Sequence, residues 1–343
     1  MSDMVRISLE DANALVSSAF VANGVPLTTA ESVARALVGA EAEGQTGHGF
    51  SRIDDYVAQV RSGKIAGEAL PQTRVLAPGS LLTDAGFGFA YPALEQAIEK
   101  GAVAAETQGV ATMAVTNSHH CGALAQHVEA LATKGLVGMM FANAPAAIAP
   151  WGSSVPVFGT NPIAFAAPRQ NAAPLVIDLS LSRVARGKVM HAAKTGARIP
   201  EGWALDANGN PTTDPNEGLK GTMVPIGRAK GTSLALMVEI LAALLTGAAM
   251  SRQASSFFTG EGPPPRVGQF LIALKPHEQS GFSERLEELL TTISHLEGAR
   301  LPGERRAASV KSAQEQGLQV PRHYVEQVQA LAGGPVHITD GQQ

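Results

Sequence analysis

Beyond Pro71 the chain changes texture, and that change limits its possible folds more than any single motif does. Short β-prone runs at 80–83, 112–116, 136–142, 175–179 and 269–274 are separated by Gly- and Pro-rich breaks and by helical stretches at 93–107, 123–133 and 232–245. Strands interleaved with helices make an α/β sheet unit. Both ends of the chain read differently. Ser8 opens an apolar period through Leu9, Ala12, Leu15, Val16 and Phe20 that stops at Gly24. Thr28 and Glu31 stand at capping-box spacing ahead of Val33, Leu37 and Val38, a helix running towards Gly44. A third period at 53–60 stops at Gly63, and near the end Leu286, Leu289, Leu290 and Ile293 share one helical face. The expectation is a helical domain assembled from residues 1–72 and 283–343, beside a mixed-sheet α/β domain of residues 73–282.

The usual nucleotide loops are missing from that α/β unit. A Gly-x-Gly-x-x-Gly turn brings pyrophosphate to a helix N-terminus in the Rossmann arrangement. Gly86-Phe87-Gly88 and Gly47-His48-Gly49 both lack the third glycine, and in Gly227-Arg228-Ala229-Lys230-Gly231-Thr232 the lysine precedes the glycine, against phosphate-loop order. A nucleotide site here is of non-Rossmann build. Composition removes other classes. Thirty acidic against 26 basic residues, a formal charge of −4, suit neither nucleic acid nor an anionic membrane as main partner. A single cysteine, Cys121, excludes an intrachain disulfide framework and a cysteine-rich zinc site. The most apolar stretch, 234–250, is short and carries Glu239, so it reads as a buried helix and not a membrane span. With no signal-like N-terminus, the expected location is the cytoplasm.

Several places carry candidate chemistry. At Gly159-Thr160-Asn161-Pro162 the chain must turn sharply between two apolar runs, leaving the Thr160 hydroxyl and the Asn161 amide free to meet a ligand. His48 stands between two glycines and four residues before Arg52. On a helix the two share a face, with an imidazole to exchange a proton near neutral pH and a guanidinium to grip a carboxylate. A helix-ending histidine and a solvated arginine read the same way. His119-His120-Cys121-Gly122 falls between a strand and a helix, where free N–H groups suit an anion or a ribose. Adjacent side chains diverge there, so no metal is expected. Asp178, beside Ser180 and Ser182, suits a ribose and equally a helix N-cap. Lys230 opposes the dipole of the helix it begins, a cost that a bound phosphate offsets. Arg305-Arg306, after Pro302-Gly303, suits a 2′-phosphate or plain solvent, and Lys188 reads as a surface lysine.

In this order these motifs, with Gly88-Phe89-Ala90-Tyr91-Pro92, Pro150-Trp151-Gly152, Ile199-Pro200-Glu201-Gly202-Trp203 and Pro211-Thr212-Thr213-Asp214-Pro215, resemble the type-2 malate/L-lactate dehydrogenase family over nearly the full length. That family also holds sulfolactate and ureidoglycolate dehydrogenases and Δ1-piperideine-2-carboxylate/Δ1-pyrroline-2-carboxylate reductases. The resemblance implies an NAD(P)H-dependent oxidoreductase, NADPH favoured over NADH, working as an interlocked homodimer on a small-molecule carboxylate. At matching positions it implies His48 as acid/base, Arg52 as carboxylate holder and Thr160 as a substrate contact. It places cofactor contacts at His120, Cys121, Gly122, Ala123, Leu124, Asp178, Leu179, Ser180, Ala229, Lys230, Gly303, Glu304, Arg305 and Arg306. Two departures stand out. Gly47 replaces the hydroxyl residue that precedes the histidine in many members, and Lys188 occupies the catalytic position where the imine reductases have the Asp of a Ser-His-Asp relay. An imidazole without carboxylate support has a lower pKa. The resemblance therefore leans towards interconverting a 2-oxo acid and a 2-hydroxy acid, ahead of reducing cyclic or N-alkyl α-imino acids. A non-catalytic ligand-binding homologue is the alternative from another class.

Overall fold

A strand covered on both faces divides its side chains between two cores, and the middle of this molecule is built on that division. The computed structural model describes residues 3–334. It opens with β1 (Met4–Ile7), α1 (Leu9–Val21), α2 (Leu27–Ala42) and α3 (Ile53–Arg61). There follow β2 (Gln72–Ala77), β3 (Ser80–Asp84), α4 (Ala90–Gln108), β4 (Val110–Ser118), α5 (Leu124–Ala132), β5 (Val137–Ala142), β6 (Ile163–Ala167) and β7 (Leu175–Leu179). Next come α6 (Arg186–Thr195), β8 (Ala204–Leu205), β9 (Pro211–Thr212), α7 (Pro215–Lys220), β10 (Thr222–Met223), α8 (Ala229–Glu239) and β11 (Val267–Leu274). The chain closes with α9 (Phe282–Ser294), α10 (Glu304–Gln316), β12 (Leu318–Pro321) and α11 (Arg322–Leu331).

Seven strands form one mixed sheet in the order β2-β3-β4-β11-β5-β6-β7, and only β3 and β4 run parallel. That separates it from a doubly wound parallel sheet. Met113, Val115, Met140, Leu271 and Ala273 face α4 and α5, while Ala114, Phe141 and Phe270 face the core shared with α6 and α8. A third core holds α1, α2, α3 and α11 together, with Leu15, Phe20, Leu37 and Tyr56 fully buried. Pairing of β1 with β12, Met4 opposite Pro321 and Ile7 opposite Leu318, ties both ends of the chain into this helical unit. Residues 335–343 of the expected helical segment lie outside the described residues.

Local expectations meet mixed outcomes. Ser8 caps α1, accepting the Asp11 N–H at 3.0 Å. The Thr28–Glu31 capping box does not form. Pro26 presets the backbone, α2 starts at Leu27, and Thr28 and Glu31 lie exposed inside the helix. The 234–250 segment is not a buried helix either: α8 passes into a π-helical turn, Ile240–Leu244, and Leu234, Leu236, Met237, Ile240, Leu244 and Leu245 are 39–60% exposed. An all-apolar run has no polar face to show which side meets the core. On α9, Leu290 is buried but Leu289 is 56% exposed. Among the described residues no helix is long and apolar enough to cross a membrane.

Candidate active site

His48 and Arg52 meet through two consecutive 3-10 turns, Thr46–His48 and Phe50–Arg52, and not along an α-helical face. The turns are fixed from below, where buried Glu41 accepts the Phe50 N–H at 2.9 Å. Burial pushes the Glu41 carboxyl up to about 7. Arg52 Nε donates to the Gly47 carbonyl at 2.8 Å, and its guanidinium lies 4.3 Å from the centre of the Phe258 ring. The nearest carboxylate, Asp55, is 3.7 Å away. The His48 ring stacks on His120 with centroids 5.2 Å apart. His120 Nδ1 in turn lies 2.5 Å from Tyr56 Oη, which is 3.1 Å from Tyr91 Oη. Phe257 packs on both neighbouring histidines, 5.1 Å from His120 and 5.3 Å from His119.

Burial first, and the charge of Arg52 second, push His48 down to about 4. The same causes, with His48 and His119 adding, hold His120 well below its usual value. Both imidazoles are thus neutral at pH 7 in the free protein. His48 Nδ1 and Arg52 Nη1 are buried, and neither has a hydrogen-bond partner among the described residues. Folded interiors leave few such atoms unpaired. Nine are found among the described residues, Ser118 Oγ and His119 Nδ1 included; these two are singled out because they belong to the residues expected to handle a proton and a carboxylate. Arg186, at the start of α6, is half-buried and electrostatically coupled to Arg52; burial and that charge lower its basicity. Lys188, two residues further, is exposed, and its side chain makes no hydrogen bond or ion pair among the described residues, so it gives His48 no relay partner there.

The second group of expected residues gathers around the end of β7. Asp178 accepts the Ala125 N–H at 2.9 Å and also the Leu124 N–H, capping α5 from a distant strand. This corrects the expectation of free N–H groups at the start of α5: the carboxylate occupies them. Ala123 and Leu124 are themselves buried. In the turn before them His119 points inward, with Nε2 2.8 Å from Gln59 Oε1. Burial pushes the Cys121 thiol up to about 12, so it is a packing group. Arg306 is held by Glu43 at 3.2 Å and Glu129 at 2.9 Å, whereas Arg305 and Glu304 are exposed.

Gly303 begins α10 with φ +85°, and a Cβ there would stand 3.1 Å from the Val176 carbonyl. Its turn therefore packs on Val176 of β7, and the Arg306 charge just beyond it acts on Asp178. From the other side Ile226 N–H donates to the Leu181 carbonyl at 2.8 Å, bringing exposed Ala229 and Lys230 to the same strand end. A Cβ at Gly231 would lie 1.9 Å from the Ile226 carbonyl, so only glycine permits this approach. A cavity of about 580 Å³ opens between α2, α10 and the start of β7, with Glu43, Gln126, Leu175, Pro302, Gly303 and Glu304 in its wall. The wall also carries Arg35, Arg169, Arg306 and Lys311, whereas Arg305 and Lys230 are exposed and do not line it.

Thr160 and Asn161 part company. Asn161 takes φ +38° and turns inward; its fully buried Nδ2 donates to the Ala235 carbonyl at 3.0 Å and to Glu239 at 2.9 Å. The expectation that this amide meets a ligand is corrected, because it is spent on anchoring the turn to α8. Thr160 beside it is half-buried, and its hydroxyl makes no hydrogen bond among the described residues. Glu239 also accepts the Ser251 N–H at 2.6 Å, at the start of the loop that carries Phe257 and Phe258 to the histidines and Arg52.

Sequence reading did not single out Tyr56, Arg186, Phe257 or Phe258. Tyr56 follows Arg52 at the same spacing that separates His48 from Arg52, which was an available signal. The two phenylalanines had none, since their loop returns from far along the chain.

The chain is similar to known proteins over nearly its whole length. The profile described as malate/L-lactate dehydrogenase matches residues 7–329. A (2R)-3-sulfolactate dehydrogenase (NADP(+)) from Chromohalobacter salexigens is 50% identical over 328 residues, covering 95% of this chain and 98% of the relative. A Δ1-pyrroline-2-carboxylate/Δ1-piperideine-2-carboxylate reductase from Pseudomonas putida is 38% identical, covering 97% and 98%. The crystal structure of Δ1-piperideine-2-carboxylate reductase from Pseudomonas syringae superposes with a TM-score of 0.90 at 36% identity, covering 95% of this chain and 99% of that one.

Proposed function

The chain belongs to the malate/L-lactate dehydrogenase family, and from that premise we propose that it is an NAD(P)-dependent enzyme interconverting a small 2-hydroxy acid and its 2-oxo acid at the His48–Arg52 centre. The observation that carries this reading is that His48 Nδ1 and Arg52 Nη1 are both buried without a hydrogen bond, the Asp55 carboxylate standing 3.7 Å from Nη1. When bound, a nicotinamide cofactor would supply the hydride acceptor for oxidation at the substrate's C2 and the hydride donor for the reverse reaction. Arg52 holds the substrate carboxylate. Neutral His48 is set to accept the hydroxyl proton in the oxidative direction. A carboxylate on Arg52 offsets the positive charge that helps to depress His48, so the occupied site holds the proton more readily for the reverse reaction. Tyr56 orients His120 beneath the His48 ring, and the Thr160 hydroxyl orients the substrate.

Arg186 supplies a second cationic group electrostatically coupled to Arg52, which favours a substrate with a second anionic group, malate- or sulfolactate-like, over a lactate-like one. The 50% identical sulfolactate relative supports the same choice. The cofactor is NADPH or NADH, with Arg305, the exposed member of its pair, set to meet a 2′-phosphate. A second copy of the chain covers the apolar band on α8, giving a homodimer; light scattering at the chain's own mass would remove that part of the reading.

The deciding assay compares sulfopyruvate, oxaloacetate and pyruvate with Δ1-piperideine-2-carboxylate, each with NADPH and NADH. Turnover of a dianionic 2-oxo acid is expected to lead. Preference for the cyclic imine would transfer the chain to its reductase relatives. Binding of cofactor without turnover of any of these acids would make it a ligand-binding homologue.

A further inference from the structure

Lys64, just beyond α3, is only 2% exposed, and its ammonium donates to three backbone carbonyls of one loop: Ser256 at 2.7 Å, Thr259 at 2.9 Å and Glu261 at 2.7 Å. Three donors meet three acceptors, so the ammonium is fully used. A buried charge is costly unless it is hydrogen-bonded, and an apolar replacement would leave three carbonyls unpaired. Between the first two of these ties stand Phe257, packed on His119 and His120, and Phe258, beneath the Arg52 guanidinium. Gln59 reinforces the same loop, donating from Nε2 to the Phe257 carbonyl at 2.9 Å while its Oε1 meets His119. The far end is held by Glu239 through Ser251.

We propose that Lys64 is a positioning residue of the redox site, fastening the 256–261 loop so that Phe257 keeps water from the stacked His120 and His48 rings and Phe258 supports Arg52. The proposal rests on the redox reading above, since the positioned groups are the ones that reading uses. Releasing the loop admits water to the imidazoles, and a solvated imidazole regains basicity. The groups facing His120 and His48 are Arg52, His119, Tyr56 and each other. Lys64's own charge acts on His119, which is therefore not the reporter.

The test is an NMR titration of histidine-labelled full-length protein as wild type, Lys64→Met and the double variant Phe257→Ala/Phe258→Ala, which keeps Lys64 and its carbonyl partners. In both variants the His120 midpoint is expected to rise by roughly a unit or more towards the ordinary imidazole value. Turnover should fall at least ~10-fold in kcat/KM, with NADPH affinity kept. A folded Lys64→Met protein with a lowered melting temperature but an unmoved His120 titration would reduce Lys64 to a structural role and overturn the proposal. Should Lys64→Met not fold, an unmoved titration in the double phenylalanine variant overturns it as well. Because the titration needs no substrate, a wild type without turnover would sink the redox reading while leaving the loop anchor decided separately.

Discussion

Arg52 and Arg306 are both guanidiniums almost closed off from solvent, with side chains 11% and 15% exposed, yet the fold treats them in opposite ways. Arg306 is clasped by Glu43 and Glu129 at hydrogen-bond distance and cross-links α10 to α2 and α5. Arg52 has Asp55 as its one carboxylate partner among the described residues, 3.7 Å from Nη1, and that buried nitrogen makes no hydrogen bond, like Nδ1 of His48. Satisfied buried charge belongs to the architecture; unsatisfied buried charge marks where a ligand completes the structure. Lys64 follows the first pattern; Asn161 and the neutral His48 are its uncharged counterparts, the one hydrogen-bonded through Nδ2 and the other with Nδ1 unpaired.

That contrast breaks most visibly at His48. Replacing it with Ala should lower kcat by ~10²–10⁴-fold with cofactor binding and melting temperature kept; near-normal turnover would remove it as the acid/base. Arg52→Met should come next, raising KM by roughly 10- to 100-fold through loss of charge-assisted bonds to the substrate, again with little change in stability. An unchanged KM would take the carboxylate away from Arg52. Arg306→Met should do the reverse, costing about 3 kcal/mol of unfolding free energy by leaving Glu43 and Glu129 unpaired. Its kcat at saturating cofactor should stay close to wild type, as denaturant titration beside kinetics can show.

The smallest effect is a pH signature with opposite signs in the two regions. Burial raises the Glu43 carboxyl to about 7 despite Arg306, so its contribution to stability is complete below the unfolded value and is lost as pH rises through 7. Glu43→Gln, which cannot ionise, should gain in melting temperature relative to wild type between pH 4.5 and 7 and level off above. His48 is depressed to about 4, so its contribution is present above 6.5 and lost as pH falls through 4. His48→Ala should flatten that acid-side loss. Parallel melting curves for variant and wild type at either position would erase the distinction.

Much of the fold was legible because its signals are local. Short β-prone runs became β3, β4, β5, β7 and β11, and the Ser8 hydroxyl marked α1 in both sequence and structure. Thr28 and Glu31 misled because Pro26, a stronger local determinant, started the helix earlier. In the site, flanking glycines and spacing pointed to His48 and Arg52. The destinations of Asn161 and Asp178 were illegible: each is consumed by a partner far along the chain, Asn161 by Glu239 and Asp178 by the start of α5. Spacing shows that a polar group exists, and only the tertiary structure shows whether it is already used. Lys64, Phe257 and Phe258 were silent for the same reason.

The most direct measurement is the pH profile of kcat/KM for oxidation of a 2-hydroxy acid, which reports ionisations of the free enzyme. A depressed, neutral His48 acting as base predicts activity sustained through pH 6 and an acid limb near 4, and Ala at this position should remove that limb. An acid limb near the ordinary imidazole value, or a profile unaffected by the His48 substitution, would contradict the account.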